Sequence, residues 1–171
     1  PRRTPLVVTA RTGRVKTWLA TAVPARRVLR FVGENPQVEE NTGSLIPLIF
    51  GCDGVAGFRV RASALLLQLC NQDGLLVATG GGAVLAADNR SALRAHAFVV
   101  HLDIDVERQL RRLARDRSRP LLASGDRRAT LTALATQRTD LYAETCDLRF
   151  APGDVGVSTA AERLCRLLQE C

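Results

Sequence analysis

Short apolar runs and longer stretches of helical period alternate along this chain. The runs at 6–9, 29–32, 75–78, 98–102 and 148–150 are strand-sized and bounded by polar or turn residues, as buried strands are. Between them, residues 57–71 read as a helix with Leu65, Leu66, Leu67 and Leu69 on its buried face. Further helices are predicted at 106–115, 128–144 and 159–170, the last with Leu164, Leu167 and Leu168 recurring at helical spacing. Five strands alternating with helices predict a three-layer α/β/α fold, with a parallel five-stranded sheet and crossover helices.

Two places break the pattern. Residues 118–126, "SRPLLASGD", contain Pro120 and Gly125 and read as a mobile flap between two helices. After Lys16 the sequence "TWLATAV" has helical period, yet Pro24 falls where the helix would continue. An interior proline costs about 3 kcal/mol, so a helix there ends near Ala22 or kinks. No internal repeat, low-complexity segment or linker is present.

A chain of 171 residues with 46% apolar and 24% charged residues has the size and balance of one compact folding unit. The apolar runs fall far short of the roughly 20 residues that a membrane helix needs, so no membrane association is expected. The start, "PRRTPLVV", resembles a secretory leader superficially, but Arg11 and Arg14 interrupt the apolar core; it reads as the first strand. Five cysteines occur without a C-x-x-C pair or a histidine at metal spacing, which suits a reduced, cytoplasmic protein. The net charge of +7 favours anionic partners. With one Trp, one Tyr and no aromatic-basic interleaving, phosphorylated small molecules suit that charge and nucleic acid is not expected.

The first candidate for chemistry is "ARTGRVKT", residues 10–17, between a strand and a helix. A phosphate-binding loop of the form G-x-x-x-x-G-K-[ST] aims backbone N–H groups, a lysine and a magnesium-binding hydroxyl at one anion. Ala10 and Val15 occupy its two glycine positions, so the strict pattern fails. Yet of 24 basic residues only Lys16 is a lysine, and it stands at the phosphate-lysine position, followed by Thr17.

Downstream, "GFR" at 57–59, "VATGGGAVL" at 77–85, "RSRPLL" at 117–122 and "QRTDLY" at 137–142 follow in order. With Lys16 and Thr17 they make the chain resemble the shikimate kinase family, P-loop kinases that move the ATP γ-phosphate to the 3-hydroxyl of shikimate. The resemblance runs from about residue 6 to the terminal helix. It implies a P-loop kinase fold as a single domain over 1–171 with a lid at about 112–126. It also implies ATP and Mg2+ as cofactors, shikimate as the small-molecule substrate, and a monomer.

Carried over by position, Gly13, Arg14, Val15, Lys16, Thr17 and Trp18 would form the nucleotide side, with Thr17 on the metal. Arg112 and the lid residue Arg119 would neutralise phosphate charge during transfer. Gly80, Gly81 and Gly82 would let backbone N–H groups approach the substrate carboxylate, which Arg59 and Arg138 would grip in forked geometry. Phe58 matches an aromatic wall of the substrate pocket, although a phenylalanine beside glycine is equally suited to the core. His96 and His101 match no family role, and His101 reads as a packed or edge residue.

The family carries D-x-D at the end of its second strand, one Asp assisting magnesium through water and the other assisting proton removal. Here the aligned residues are Gly33 and Asn35. Asn35 can still bond a hydroxyl, but an amide cannot take its proton. Glu34, read as a strand residue, points to the opposite face and substitutes poorly. Val15 is β-branched where positive φ is expected, and Ala62 stands where the family has an acid. Two readings follow: a shikimate kinase of impaired turnover, with Lys16, Arg119 and Asn35 as catalytic residues, or an inactive member that still binds shikimate.

Overall fold

A computed structural model describes residues 5–10, 29–114 and 125–170. Five strands, β1 (Leu6–Ala10), β2 (Arg30–Gly33), β3 (Leu75–Ala78), β4 (Phe98–Leu102) and β5 (Leu148–Phe150), form one sheet in the order β2-β3-β1-β4-β5. Every pairing is parallel, with Leu6 opposite both Leu76 and Phe98, Gly33 opposite Ala78, and Leu102 opposite Phe150. All five predicted strands are present, β2 displaced by one residue.

The sheet is apolar on both faces because helices cover both. Along β1 the side chains alternate between the two layers: Val7 joins Val32, Val77 and Val99 beneath Leu65, Leu66 and Leu69, while Leu6 and Val8 join Leu76, Val100 and Leu102 beneath Ala160 and Leu164. Six helices occur among the described residues: α1 (Glu34–Thr42), α2 (Ile46–Cys70), α3 (Ala87–His96), α4 (Val106–Leu113), α5 (Arg127–Thr145) and α6 (Val157–Glu170).

Three of these differ from the sequence reading. The helix predicted at 57–71 is the second half of α2, which starts at Ile46 behind Pro47 and bends at Gly54, where φ 67° and ψ −172° are open essentially to glycine alone. Helix α3 was not predicted, since Asn89 and Leu93 are its only fully buried residues and leave almost no apolar stripe. Helix α1 was not predicted either. Gly33 ends β2 in extended conformation, Glu34 opens the helix, Pro36 sits in its first turn and Gly43 closes it at φ 65°. Glu34 is therefore a helix residue, and its assignment to a strand pointing away from the site is overturned.

The kink expected near Pro24 and most of the flap at 118–126 lie outside the described residues. Of that flap, Asp126 caps α5, its carboxylate accepting the N–H groups of Arg128 and Ala129.

Candidate functional site

In an open parallel sheet, ligands bind beyond the carboxyl ends of the strands where the chain changes direction across the sheet. Here that place lies above the ends of β1 and β3, and the triple glycine Gly80–Gly81–Gly82 follows β3 directly. Thr79 N–H donates to Val8 O at 3.1 Å, which ties the start of this loop to β1. A 3-10 turn, Ala83–Leu85, completes it.

Neighbouring helices hold the loop in place. From α3, Asn89 Nδ2 donates to Ala83 O at 2.9 Å and Arg90 reaches Val84 O and Leu85 O at 3.0 and 3.2 Å. From α5, the Tyr142 hydroxyl donates to Gly81 O at 2.8 Å. The Tyr142 ring stacks on His101 of β4, with centroids 4.0 Å apart, and His101 Nδ1 lies 3.2 Å from Thr9 Oγ1. A polar path thus runs from the end of β1 through β4 and α5 to the glycine loop. His101 is packed within this path, as the sequence reading had it, at 3% exposure.

One turn before Tyr142, on the same face of α5, Arg138 is 4% exposed and its Nε has no hydrogen-bond partner among the described residues. A buried donor without an acceptor costs about 1–3 kcal/mol, so the fold retains Arg138 at a cost. On the opposite side of the loop, the buried Glu34 carboxylate accepts the N–H of Gly80. Burial pushes its pKa up to about 7, with the Gly80 N–H opposing. A Cβ on Gly80 would stand 3.1 Å from Glu34 Oε2, tighter than an ordinary contact, so the carboxylate would have to give by a few tenths of an ångström. The sequence reading expected the glycine N–H groups to meet the substrate carboxylate; here the N–H of Gly80 meets a carboxylate of the chain itself.

Arg59 lies on α2, exposed, without a hydrogen bond or ion pair to another described residue. Phe58 is partly buried, stacks on Phe50 at 5.1 Å between centroids and packs against the core. Ala62 faces the core at 7% exposure, where an acid would have to be buried. Asn35 is partly exposed in the first turn of α1. Arg112 lies on α4, its side chain outside the described residues. Gly13, Arg14, Val15, Lys16, Thr17, Trp18 and Arg119 also lie outside them.

A family model described as shikimate kinase matches residues 12–169. The chain belongs to the shikimate kinase family. The shikimate kinase of Bordetella pertussis is 38% identical over 99% of this chain and 80% of its own length. That of Xanthomonas oryzae pv. oryzae is 45% identical over 84% of this chain and 79% of its own. Among solved structures, shikimate kinase from Acinetobacter baumannii in complex with shikimate superposes with a TM-score of 0.84 at 29% identity, covering 98% of this chain and 95% of that one. The fold, the P-loop kinase class and the order of the motifs are those of the family.

Sequence reasoning misread Glu34 and missed the roles of Tyr142 and of the braces from α3. Tyr142 was within reach: four residues after Arg138 on a helix, it must share that residue's face.

Proposed function

We propose that this chain transfers the γ-phosphate of ATP to the 3-hydroxyl of shikimate. One observation carries the reading to its substrate: Arg138 is buried on the helix that braces the triple-glycine loop, with a guanidinium N–H left unpartnered among the described residues. A bound carboxylate supplies the missing acceptor, and a guanidinium fork suits that anion better than an ammonium group would. Arg59, exposed on α2, serves as the second arm.

On the nucleotide side, Lys16, Arg112 and Arg119 would hold the phosphates, and Thr17 would hold magnesium through its hydroxyl. The ion supplies charge neutralisation when bound. Among the described residues no three His, Cys, Asp or Glu side chains cluster, and Gly33 offers no carboxylate. Thr17, the residue that would hold the ion, lies outside the described residues, and no step here is routed through the ion.

Gly33 and Asn35 support the second reading, a member that binds shikimate without turnover. If nothing replaces the family's proton acceptor, the rate falls on the order of a hundred- to ten-thousand-fold. Separate calorimetric titrations with shikimate and Mg-ATP, together with ADP release under both, decide between the readings. The kinase reading expects shikimate to bind and ADP release to depend on it, below the roughly 1–100 per second typical of kinases. Binding without shikimate-dependent ADP release supports the second reading; the absence of both ends the two together. A monomer of cytoplasmic location goes with either.

A further inference from the structure

Resting on the kinase reading above, we propose that Glu34 is the proton acceptor for the shikimate hydroxyl in this chain, working from a position between the two that have lost their acids. The geometry follows from one change of backbone direction. Because β2 ends at Gly33 and α1 begins at Glu34, the side chain at 34 turns over the strand ends and reaches the loop after β3.

Among the described residues Glu34 is the only acid that is fully buried, at 3% exposure. A buried carboxylate is costly unless it is paired, and this one has a single backbone donor and no ion pair among the described residues. An amide would fill the same space and accept the same bond from Gly80 without that cost, so the fold alone does not call for an acid here. The surroundings call for one. Gly80 opens the triple glycine, the next residue is held by Tyr142, and Tyr142 shares a helix face with Arg138. On the reading above, substrate held at this loop comes within reach of Gly80, whose N–H Glu34 already accepts.

Oε2 accepts the Gly80 N–H, and Oε1 remains for the proton. In the step, an electron pair of the 3-oxygen forms the new bond to the γ-phosphorus. The bond from that phosphorus to the β–γ bridging oxygen breaks, ADP leaves with its electron pair, and the hydroxyl proton passes to Oε1. Burial tunes the group in the direction that this role needs, toward neutrality of acid and base near the operating pH. The shift has desolvation as its main cause and the Gly80 N–H as its opponent; no charged side chain among the described residues contributes.

The test uses the full chain, with shikimate-dependent ADP release followed from pH 5.5 to 9 and shikimate affinity measured by calorimetry. In the unaltered chain kcat is expected to rise through a limb near 7. Glu34→Gln is expected to lower kcat roughly a hundred- to ten-thousand-fold, abolish the limb and leave shikimate affinity within about threefold. Adding Asn35→Asp to that variant should restore turnover by returning an acid to the neighbouring position. A Glu34→Gln protein that keeps its kcat overturns the proposal, as does one in which affinity falls in step with kcat while the limb survives. No product from the unaltered chain overturns the kinase reading itself, an outcome separate from both.

Discussion

Tyr142 donates its hydroxyl proton to Gly81 O across 2.8 Å, joining α5 to the glycine loop over 61 residues of sequence. Removing the hydroxyl alone leaves the ring on His101. Tyr142→Phe is expected to cost about 1 kcal/mol of stability and to raise the dissociation constant for shikimate several-fold through a looser loop. Urea denaturation and calorimetry read the two effects separately; an unchanged shikimate affinity would show that the loop needs no brace there.

Arg138 gives a prediction of opposite signs. Replacing it with Met removes a buried donor that lacks an acceptor among the described residues, and the fold is expected to gain about 1–3 kcal/mol. Shikimate loses a charge-assisted contact worth roughly 1.5–3 kcal/mol, a loss of about ten- to hundredfold in affinity. A variant less stable than the parent contradicts the stored cost described here.

Glu34 makes stability depend on pH in an unusual direction for an acid. Its folded-state pKa is raised from 4.5 to about 7, so between those values the folded chain binds more protons than the unfolded one. The contribution is complete below about 4.5 and is lost as pH rises through about 7, amounting to about 3 kcal/mol. The stability difference between the parent and Glu34→Gln, taken from urea midpoints at pH 5 and pH 8, should therefore shift toward the variant at the higher pH. A difference independent of pH would place the carboxylate in water.

The glycines of the loop are not equivalent. A Cβ at Gly80 would press within 3.1 Å of Glu34 Oε2, whereas one at Gly82 meets nothing nearer than Leu85 Cδ1 at 3.9 Å. Gly80→Ala is expected to displace the carboxylate and cost about 1–3 kcal/mol, with Gly82→Ala within about 0.5 kcal/mol of the parent. Thermal denaturation of the pair orders them, and an equal loss in both would point to loop flexibility instead of this close approach.

Strand positions were legible because five buried parallel strands leave continuous apolar runs, and "LVVTA" or "LLVA" admits few other readings. Arg138 and the triple glycine were legible through the motifs around them. Helices α1 and α3 were not, because each turns one or two side chains inward and leaves no periodic stripe. Chain length could still have revealed α3, since joining β3 to β4 in parallel demands a crossover. Glu34 was misread through a single boundary residue: one more strand position would have sent its side chain to the other face, and the helix start at 34 brings it to the loop.

The strand order has a consequence for synthesis. β1 takes its place only between β3 and β4, and the first register partner of Leu6 is Leu76. At about 5–20 residues per second, an apolar segment waits several seconds on the ribosome before any edge exists to receive it. Shielding of residues 6–10 during that interval, by the nascent helices or by a chaperone, governs how much of the chain reaches its sheet before it meets another copy of itself.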